Sequence, residues 1–306
     1  MQNNKNIKIK VKRHIKSKPI DLFWDGLLYF FLIVLALLCL LPMWHVIMAA
    51  ISDPSELYVT NDFLFLPTGG VSFKAWNMVF EDYPILRGYL NTIIYALGAT
   101  ALGLILSLLA AYVLSRKAFM FKGAFFLFLV IPMFVSGGMI PLYTVVYKLG
   151  MTGTIWSIII PGCCSVLNIF LLRNGMAGID EAYSEAAKLD GAGHWTILFQ
   201  IIIPLIGPYV SVIVMFTLIG QWNQWMLPKI FLGADKQELY PLSLVIYNLM
   251  QLSGSTSIQG GMNELEEYNS SIQMISILLS SAPLLIVFPF FEKHFEKAVV
   301  IGGVKG

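Results

Sequence analysis

The stretch Glu185-Ala186-Ala187-Lys188-Leu189-Asp190-Gly191 is a charged, helix-forming segment that lies between two long apolar runs. Asp180 precedes it at a position suited to cap a helix, and Glu181 would then stand favourably in the first turn, against the helix dipole. Gly191 lies where the helix must stop and reverse, which favours a residue free to adopt a positive φ. The sequence therefore predicts a short capped helix ended by a glycine turn.

Apolar residues recur along this segment at roughly helical spacing. Their small side chains would let one face of the helix enter a narrow groove on a partner protein. The residues of this predicted face are Ile179, Ala182, Tyr183, Ala186, Ala187 and Leu189. The alternative is an ordinary amphipathic helix that lies on a membrane surface.

The composition of the chain indicates a membrane protein. Of its 306 residues 57% are hydrophobic and only 12% are charged, whereas soluble proteins are about a quarter charged. Six stretches lack Asp, Glu, Lys and Arg and are long enough to cross about 30 Å of hydrocarbon. They lie at 26–50, 88–115, 123–147, 149–172, within 191–228, and at 268–291. The sequence predicts an all-α membrane protein with six transmembrane helices.

The distribution of Lys and Arg predicts the orientation of these helices. With the N-terminus inside, 15 of the 20 Lys and Arg residues lie in cytoplasmic segments, as the positive-inside rule requires. Both termini and the Glu185 segment are then cytoplasmic. The predicted organisation is a basic tail at 1–25, a transmembrane domain at 26–292 with a cytoplasmic loop at about 174–200 and outer loops at about 51–87 and 229–267, and a cytoplasmic tail at 293–306.

Ile201, Ile203 and Pro204 follow Gly191 so that the segment reads EAA-x3-G-x9-I-x-[IL]-P. This pattern resembles the cytoplasmic loop of bacterial ABC importer permeases, where it docks on the ATPase subunit. The resemblance implies a type I ABC importer permease fold in the bacterial cell membrane, with six transmembrane helices and a cytoplasmic coupling helix. It also implies that the ATPase is contacted by Glu185, Ala186, Ala187, Asp190 and Gly191.

Four further strings narrow the resemblance to carbohydrate uptake: LRGYLNT at 86–92, QWNQW at 221–225, YPLSL at 240–244 and IGGVKG at 301–306. Together they are similar to the oligosaccharide permeases related to the smaller maltose-permease subunit. They look more closely like the lipoprotein-dependent polysaccharide and aldouronate permeases of Gram-positive bacteria. The implied protein is a membrane subunit of an ATP-driven, binding-protein-dependent importer that forms half of the translocation path for an oligosaccharide. Residues 253–269 depart from the maltose homologue in being longer and more polar.

The resemblance also implies the partners. They are a second related permease, two ATPase subunits, an extracellular solute-binding lipoprotein, the oligosaccharide and membrane lipid; a homodimer remains open, and no nucleic acid is expected. The chain lacks a Gly-x4-Gly-Lys-[Ser/Thr] phosphate loop. We therefore expect no enzyme activity, metal or cofactor on this chain, with ATP and Mg bound by the separate ATPase.

Two other classes of membrane protein compete with this interpretation. An ion-coupled secondary transporter needs titrating or ion-coordinating groups near mid-membrane, and the second, third, fourth and sixth predicted spans contain no Asp, Glu, Lys or Arg. A membrane scaffold without transport activity would not need the Glu185 segment. Both alternatives are therefore disfavoured.

The path of the sugar is expected among neutral polar and aromatic residues, because sugars are held by hydrogen bonds and by stacking on aromatic rings. The candidates are Asn91, Tyr95, Trp222, Asn223, Gln224 and Trp225. Trp and Tyr near the ends of spans also belong to the aromatic belt at the lipid interface. A packing or interfacial role therefore competes with sugar contact at each position. Pro204, Gly207 and Pro208 predict a loosened start of the fifth span.

The loop at 229–267 contains an apolar run at 240–250 that predicts a short helix at the outer membrane boundary. Pro241 suits its first turn, and one face would consist of Leu242, Val245, Ile246, Leu249 and Met250. Beyond this helix, a polar projection with Ser253, Gly254, Gly260 and Gly261 is predicted to contact the binding protein. A passive connector is the alternative.

Overall fold

A computed structural model describes the backbone of residues 19–60, 62–256 and 264–303, and the side chains of residues 20, 22–60, 62–251 and 268–289. All regular structure in these residues is helical, which confirms the predicted all-α class. The α-helices are α1 (Pro19–Ala50), α2 (Pro54–Val59), α3 (Lys74–Asp82), α4 (Ile85–Ser115), α5 (Lys122–Phe134), α6 (Met139–Lys148), α7 (Trp156–Gly162), α8 (Val166–Ala177), α9 (Glu181–Leu189), α10 (His194–Thr196), α11 (Ile203–Leu205), α12 (Gly207–Trp222), α13 (Met226–Leu232), α14 (Leu242–Thr256) and α15 (Glu264–Gly303). A π turn at Ile197–Ile202 joins α10 to α11, and a 3-10 turn at Gln237–Leu239 precedes α14.

Three of these helices, α1, α4 and α15, are each long and apolar enough to cross a membrane. Three further spans consist of two parts joined at a bend: α5 and α6 meet at 116°, α7 and α8 at 49°, and His194–Leu205 meets α12 at 83°. The six predicted spans are found when each bent pair counts as one. The charge-free stretches at 123–147 and 149–172 each form two helices joined at a bend, which their length and composition did not indicate.

Proline and glycine account for the bends. Gly138, between α5 and α6, has a φ of 81°, which glycine adopts without the strain that other residues would suffer. Pro161 lies in the last turn of α7, where it removes a backbone donor. Gly207 and Pro208 begin α12 directly after the 83° bend. The loosened start of the fifth span, predicted from these residues, is confirmed.

Helix α4 is the central element, and it packs against α7, α8, α12 and α14. Its closest approach is at Gly103, where an added Cβ atom would lie only 1.7 Å from the carbonyl oxygen of Cys163. Cys163 lies in the break between α7 and α8, so this break fits against a position of α4 that has no side chain. Such close contacts through small residues are the usual means of packing helices in lipid.

Two hydrogen bonds that involve α12 complete the joint at this break. Gln221 donates from Nε2 to the carbonyl oxygen of Gly162 at 3.2 Å, and Asn168 of α8 donates to Thr217 Oγ1 at 3.3 Å. Gln221 thus supplies a donor to a carbonyl that the broken helix leaves without one, which matters because lipid offers no replacement for water. The second, fourth and fifth spans are tied together here.

Helix α1 stands apart from the rest of the bundle. Its residues 22–42 are exposed, and only its C-terminal end, with Ala49 and Ala50, is fully buried. Contacts to α15 hold it in place. The exposed length of α1 therefore offers an apolar surface to lipid or to another membrane subunit.

We expect Gly103→Ala to destabilise the protein by about 1–3 kcal/mol or more, because overpacking against a backbone atom cannot be relieved by a rotamer change. Gly220→Ala, in the interior of α12, is the matched control, since nothing lies within 4 Å of the added Cβ atom. Thermal unfolding of the purified transporter should show a lower Tm for the first variant only. Equal Tm values for the two variants would contradict the close contact.

Candidate functional site

The segment that the sequence analysis singled out forms α9 and the turn after it. Asp180 caps the helix, since its side chain accepts a hydrogen bond from the backbone N–H of Ala182 at 3.0 Å. Gly191 has a φ of 81°, and the next residue, Ala192, donates from its N–H to the carbonyl of Ala187 at 2.9 Å. The predicted cap and the predicted glycine turn are both confirmed.

One face of α9 is bound to the end of α4. Arg116 Nη1 donates to Ser184 Oγ at 3.0 Å, and the Lys117 ammonium lies 2.7 Å from Glu181 Oε2. The hydrogen bond and the charge of Glu181 raise the pKa of Lys117. Ser184 is buried in this contact. The anchoring roles of Arg116, Lys117 and Ser184 were not predicted from the sequence; the available signal was the Arg116-Lys117 pair directly after an apolar run.

The five predicted ATPase-contacting residues fall on different sides of this segment. Glu185, Ala186, Asp190 and Gly191 are exposed, whereas Ala187 is only 8% exposed and packs into the core beneath the helix. Four residues of the predicted apolar face, Ala182, Tyr183, Ala186 and Leu189, are exposed, as a face that enters a groove on a partner requires. Ala187 does not belong to this exposed face, because it is buried together with Ser184 on the opposite stripe of the helix.

Asn91 and Tyr95 lie near the start of α4, at the opposite end of this helix from α9. Asn91 Nδ2 donates to the carbonyls of Glu238 and Tyr240 at 2.9 and 3.0 Å, and the Tyr95 hydroxyl donates to the Leu239 carbonyl at 2.7 Å. Tyr95 is only 2% exposed. Both side chains therefore hold residues 238–240 on α4, which matches the packing role that the sequence left open.

The four candidates at the end of α12 differ in their surroundings. Trp222 donates from Nε1 to the Ser280 carbonyl at 3.0 Å, and the carbonyl of Gln224 accepts from Ser243 Oγ at 2.8 Å. Asn223 is exposed, and Trp225 stacks on Tyr247 with ring centroids 4.1 Å apart. Trp222, Asn223 and Trp225 all line a cavity of about 260 Å³ together with Tyr247.

A second cavity, of about 470 Å³, also has Tyr247 in its wall. It was not predicted from the sequence. Its polar lining includes Tyr83, Lys229, Tyr240, Tyr247, Asn248 and Gln251. Lys229 Nζ donates to the Tyr247 hydroxyl at 3.1 Å and lies 4.3 Å from the centre of its ring. The available signal was the polar pair Tyr247 and Asn248 on a predicted apolar helix, with Gln251 directly after it.

The predicted helix after Pro241 is confirmed as α14. Leu242, Val245, Ile246 and Leu249 of its predicted face are buried, but Met250 is exposed. The backbone of Ser253 and Gly254 belongs to the same helix, so these two residues do not begin a projecting loop. Gly260 and Gly261 lie outside the described residues, and their contact with a binding protein stays a prediction.

We expect Asn91→Ala to lower the stability of the transporter by about 1 kcal/mol, because the Tyr240 carbonyl loses its side-chain donor while the Glu238 carbonyl keeps the one from Arg87. Asn223→Ala removes the same side chain from an exposed position whose amide bonds only to its own helix, at the Ile219 carbonyl. Thermal unfolding should therefore separate two residues that the sequence placed in one group. A larger loss of Tm for Asn223→Ala would contradict the anchoring role of Asn91.

Comparison with known proteins agrees with this architecture. The family model described as "Binding-protein-dependent transport system inner membrane component" matches residues 99–301. The chain is 32% identical over 287 residues to the polygalacturonan/rhamnogalacturonan transport system permease protein YtcP of Bacillus subtilis (strain 168), covering 92% of this chain and 98% of YtcP. It is 24% identical over 279 residues to the arabinooligosaccharides transport system permease protein AraQ of the same organism, covering 90% and 94% of the two chains.

A solved structure shows the same fold. It is the crystal structure of a bacterial ABC transporter involved in the import of the acidic polysaccharide alginate, one chain of which is 26% identical. The alignment has a TM-score of 0.75 and covers 91% of this chain and 99% of the other. The chain therefore belongs to the inner membrane components of binding-protein-dependent transport systems and is a multi-pass permease subunit of the ABC importer type.

Proposed function

We propose that this permease forms half of the path of an ATP-driven oligosaccharide importer and that α9 receives the motion of a separate ATPase. The observation that carries the proposal is the arrangement of α9, which is bound to α4 on one side and leaves Glu185, Ala186 and Asp190 exposed on the other. The remaining parts of the transporter are proposed to be a second related permease, two ATPase subunits that bind ATP and Mg, and a solute-binding lipoprotein.

The contacts of α9 suit a segment that passes on mechanical force. A helix held only by its flanking turns could tilt without moving the bundle. Here Arg116 and Lys117 join α9 to the last turn of α4 and the residues after it, and α4 continues for 31 residues, about 46 Å at the rise of an α-helix. A displacement of α9 would therefore reach the opposite end of the bundle through one rigid element.

We infer the orientation of the chain from the excess of Lys and Arg in the segments on the α9 side. We place α9 and both termini in the cytoplasm, where ATP is hydrolysed. The two cavities around Tyr247 then lie on the outer side, where a binding protein would release its sugar.

The chemistry of these two cavities suits an oligosaccharide. Trp225 offers an aromatic ring, Asn223 and Asn248 carry amides that can bond hydroxyl groups, and Lys229 adds a cation. The named substrates of the similar proteins, polygalacturonan or rhamnogalacturonan, arabino-oligosaccharides and alginate, are all carbohydrates. Sugar import is therefore the function that the chain supports best.

We expect Gly191→Val to reduce ATP-driven oligosaccharide uptake strongly while the protein still inserts into the membrane. A β-branched residue at a φ of 81° costs about 1–3 kcal/mol, so the turn after α9 would change shape. The measurement is uptake by the transporter reconstituted with its binding protein, tested with a panel of neutral and acidic oligosaccharides.

Gly193→Val is the matched control, because Gly193 lies two residues further in the same loop with a φ of −75° and open space around it. It should retain most of the uptake activity. Normal uptake by Gly191→Val would count against coupling through α9. Failure of the unmodified transporter to import any oligosaccharide of the panel would count against the substrate class alone.

A further inference from the structure

A cavity of about 480 Å³ lies beside the last turns of α4, at the same end of the bundle as α9. It is distinct from the two cavities around Tyr247, and neither the family nor the proposed coupling assigns it a role. Its wall combines apolar side chains of α4 and of the π turn with two nitrogen-bearing groups. The residues that matter here are Leu109, Tyr112, Val113, Arg116, His194 and Leu198.

Much of the cavity wall is apolar. Leu109 and Val113 lie one turn apart on α4, and Leu198 of the π turn is buried against them. Hydrocarbon is the chemistry that such a wall accepts, because apolar surface gains free energy when it is covered by apolar groups.

The edge of the cavity carries a positive charge without a carboxylate partner. The only ion pairs within the described part of the chain are Lys74 with Asp53 and Lys117 with Glu181. Arg116 instead bonds to the neutral Ser184 hydroxyl and lies 4.2 Å from the centre of the Tyr112 ring, and its Nε atom is buried without a hydrogen-bond partner. The charge of Arg116, which no carboxylate among the described residues neutralises at salt-bridge distance, is thus suited to attract a phosphate group, whose oxygens accept hydrogen bonds from the guanidinium N–H groups that the Ser184 contact leaves unused.

A second nitrogen-bearing side chain lies beside Arg116. His194 Nδ1 is 3.1 Å from the Tyr112 hydroxyl, so the imidazole and the phenol form a hydrogen-bonded pair at the edge of the cavity. Tyr112 therefore contacts both Arg116 and His194. A headgroup bound at Arg116 would share the cavity with the His194 imidazole.

The surrounding residues place this edge at the surface of the bilayer. Trp195 is 65% exposed and stacks on Phe199, and Met120 and Phe121 are exposed in the short connection that leads to Lys122. Exposed aromatic residues next to basic ones are typical of the membrane interface. Basic cavities between helices at this level bind the headgroups of anionic lipids.

We propose that this cavity binds an anionic phospholipid, with the phosphate at Arg116 and part of one acyl chain against Leu109, Val113 and Leu198. Because Arg116 also holds Ser184 of α9, the bound lipid stabilises the side chain that connects α4 to α9. The proposal does not depend on the identity of the transported sugar.

The test uses the complete transporter in nanodiscs that contain a photoactivatable phosphatidylglycerol or the matching phosphatidylcholine. Labelled peptides are identified by mass spectrometry. We expect phosphatidylglycerol to label the segments around Val113 and Leu198 more than phosphatidylcholine does. Arg116→Gln should reduce this labelling about five-fold, as expected for the loss of one cation near an anionic headgroup, and Arg116→Lys should retain most of it.

Two further variants separate lipid binding from the structural role of Arg116. Ser184→Ala breaks the bond to α9 but keeps the charge, so labelling should not change. Val113→Trp fills the apolar part and should reduce labelling by both lipids. Equal labelling by the two lipids, full labelling of Arg116→Gln, or a loss in Ser184→Ala equal to that in Arg116→Gln would overturn the proposal. Cross-links from this cavity to a partner subunit in place of lipid would overturn it as well.

Discussion

The contact between Gly103 and the Cys163 carbonyl is the constraint on which the rest of the structure depends. It brings the break of the fourth span directly onto α4, and Gln221 then supplies a donor to the neighbouring Gly162 carbonyl. In a membrane, an interrupted helix persists only if its unpaired backbone groups are satisfied by protein. This joint therefore allows a bundle made largely of bent helices to remain a single packed unit.

From this joint, α4 extends in both directions, and polar side chains near its two ends hold other segments of the chain. Asn91 and Tyr95 hold the backbone of residues 238–240 at one end. Arg116, just beyond the other end, holds α9. The middle of the helix packs against other helices, while its ends position the segments that we propose to meet the ATPase and the sugar. A rigid element with adjustable attachments at each end is a suitable design for an alternating-access permease.

Much of this architecture was predictable because it follows from local chemistry. Charge-free length determines how many spans are needed, Asp180 and Gly191 mark the limits of α9, and Pro204 with Gly207 marks the bend before α12. These features depend on a few neighbouring residues. The helix after Pro241 could also be predicted, since its apolar residues recur at helical spacing and cover one side of it.

The contacts between distant segments could not be predicted. Ala186 and Ala187 are adjacent and identical in the sequence. Only packing against the core decides that Ala187 is buried and Ala186 is exposed. The amide of Asn91 could bond a sugar hydroxyl as well as a peptide carbonyl. Its anchoring role depends on the position of residues 238–240, which are distant in the sequence and pack against it only in the folded protein. Lys229 and Tyr247 likewise come together only in the folded bundle.

The central claim is that the exposed side of α9 meets the ATPase, and cysteine cross-linking tests it most directly. Ala186→Cys and Ala187→Cys are introduced separately into the assembled transporter after replacement of Cys39, Cys163 and Cys164, the three free cysteines. A short thiol cross-linker should join the permease to the ATPase from Ala186→Cys and not from the buried position of Ala187→Cys. An active transporter in which Ala186→Cys forms no cross-link to the ATPase, or forms no more than Ala187→Cys does, would contradict the account.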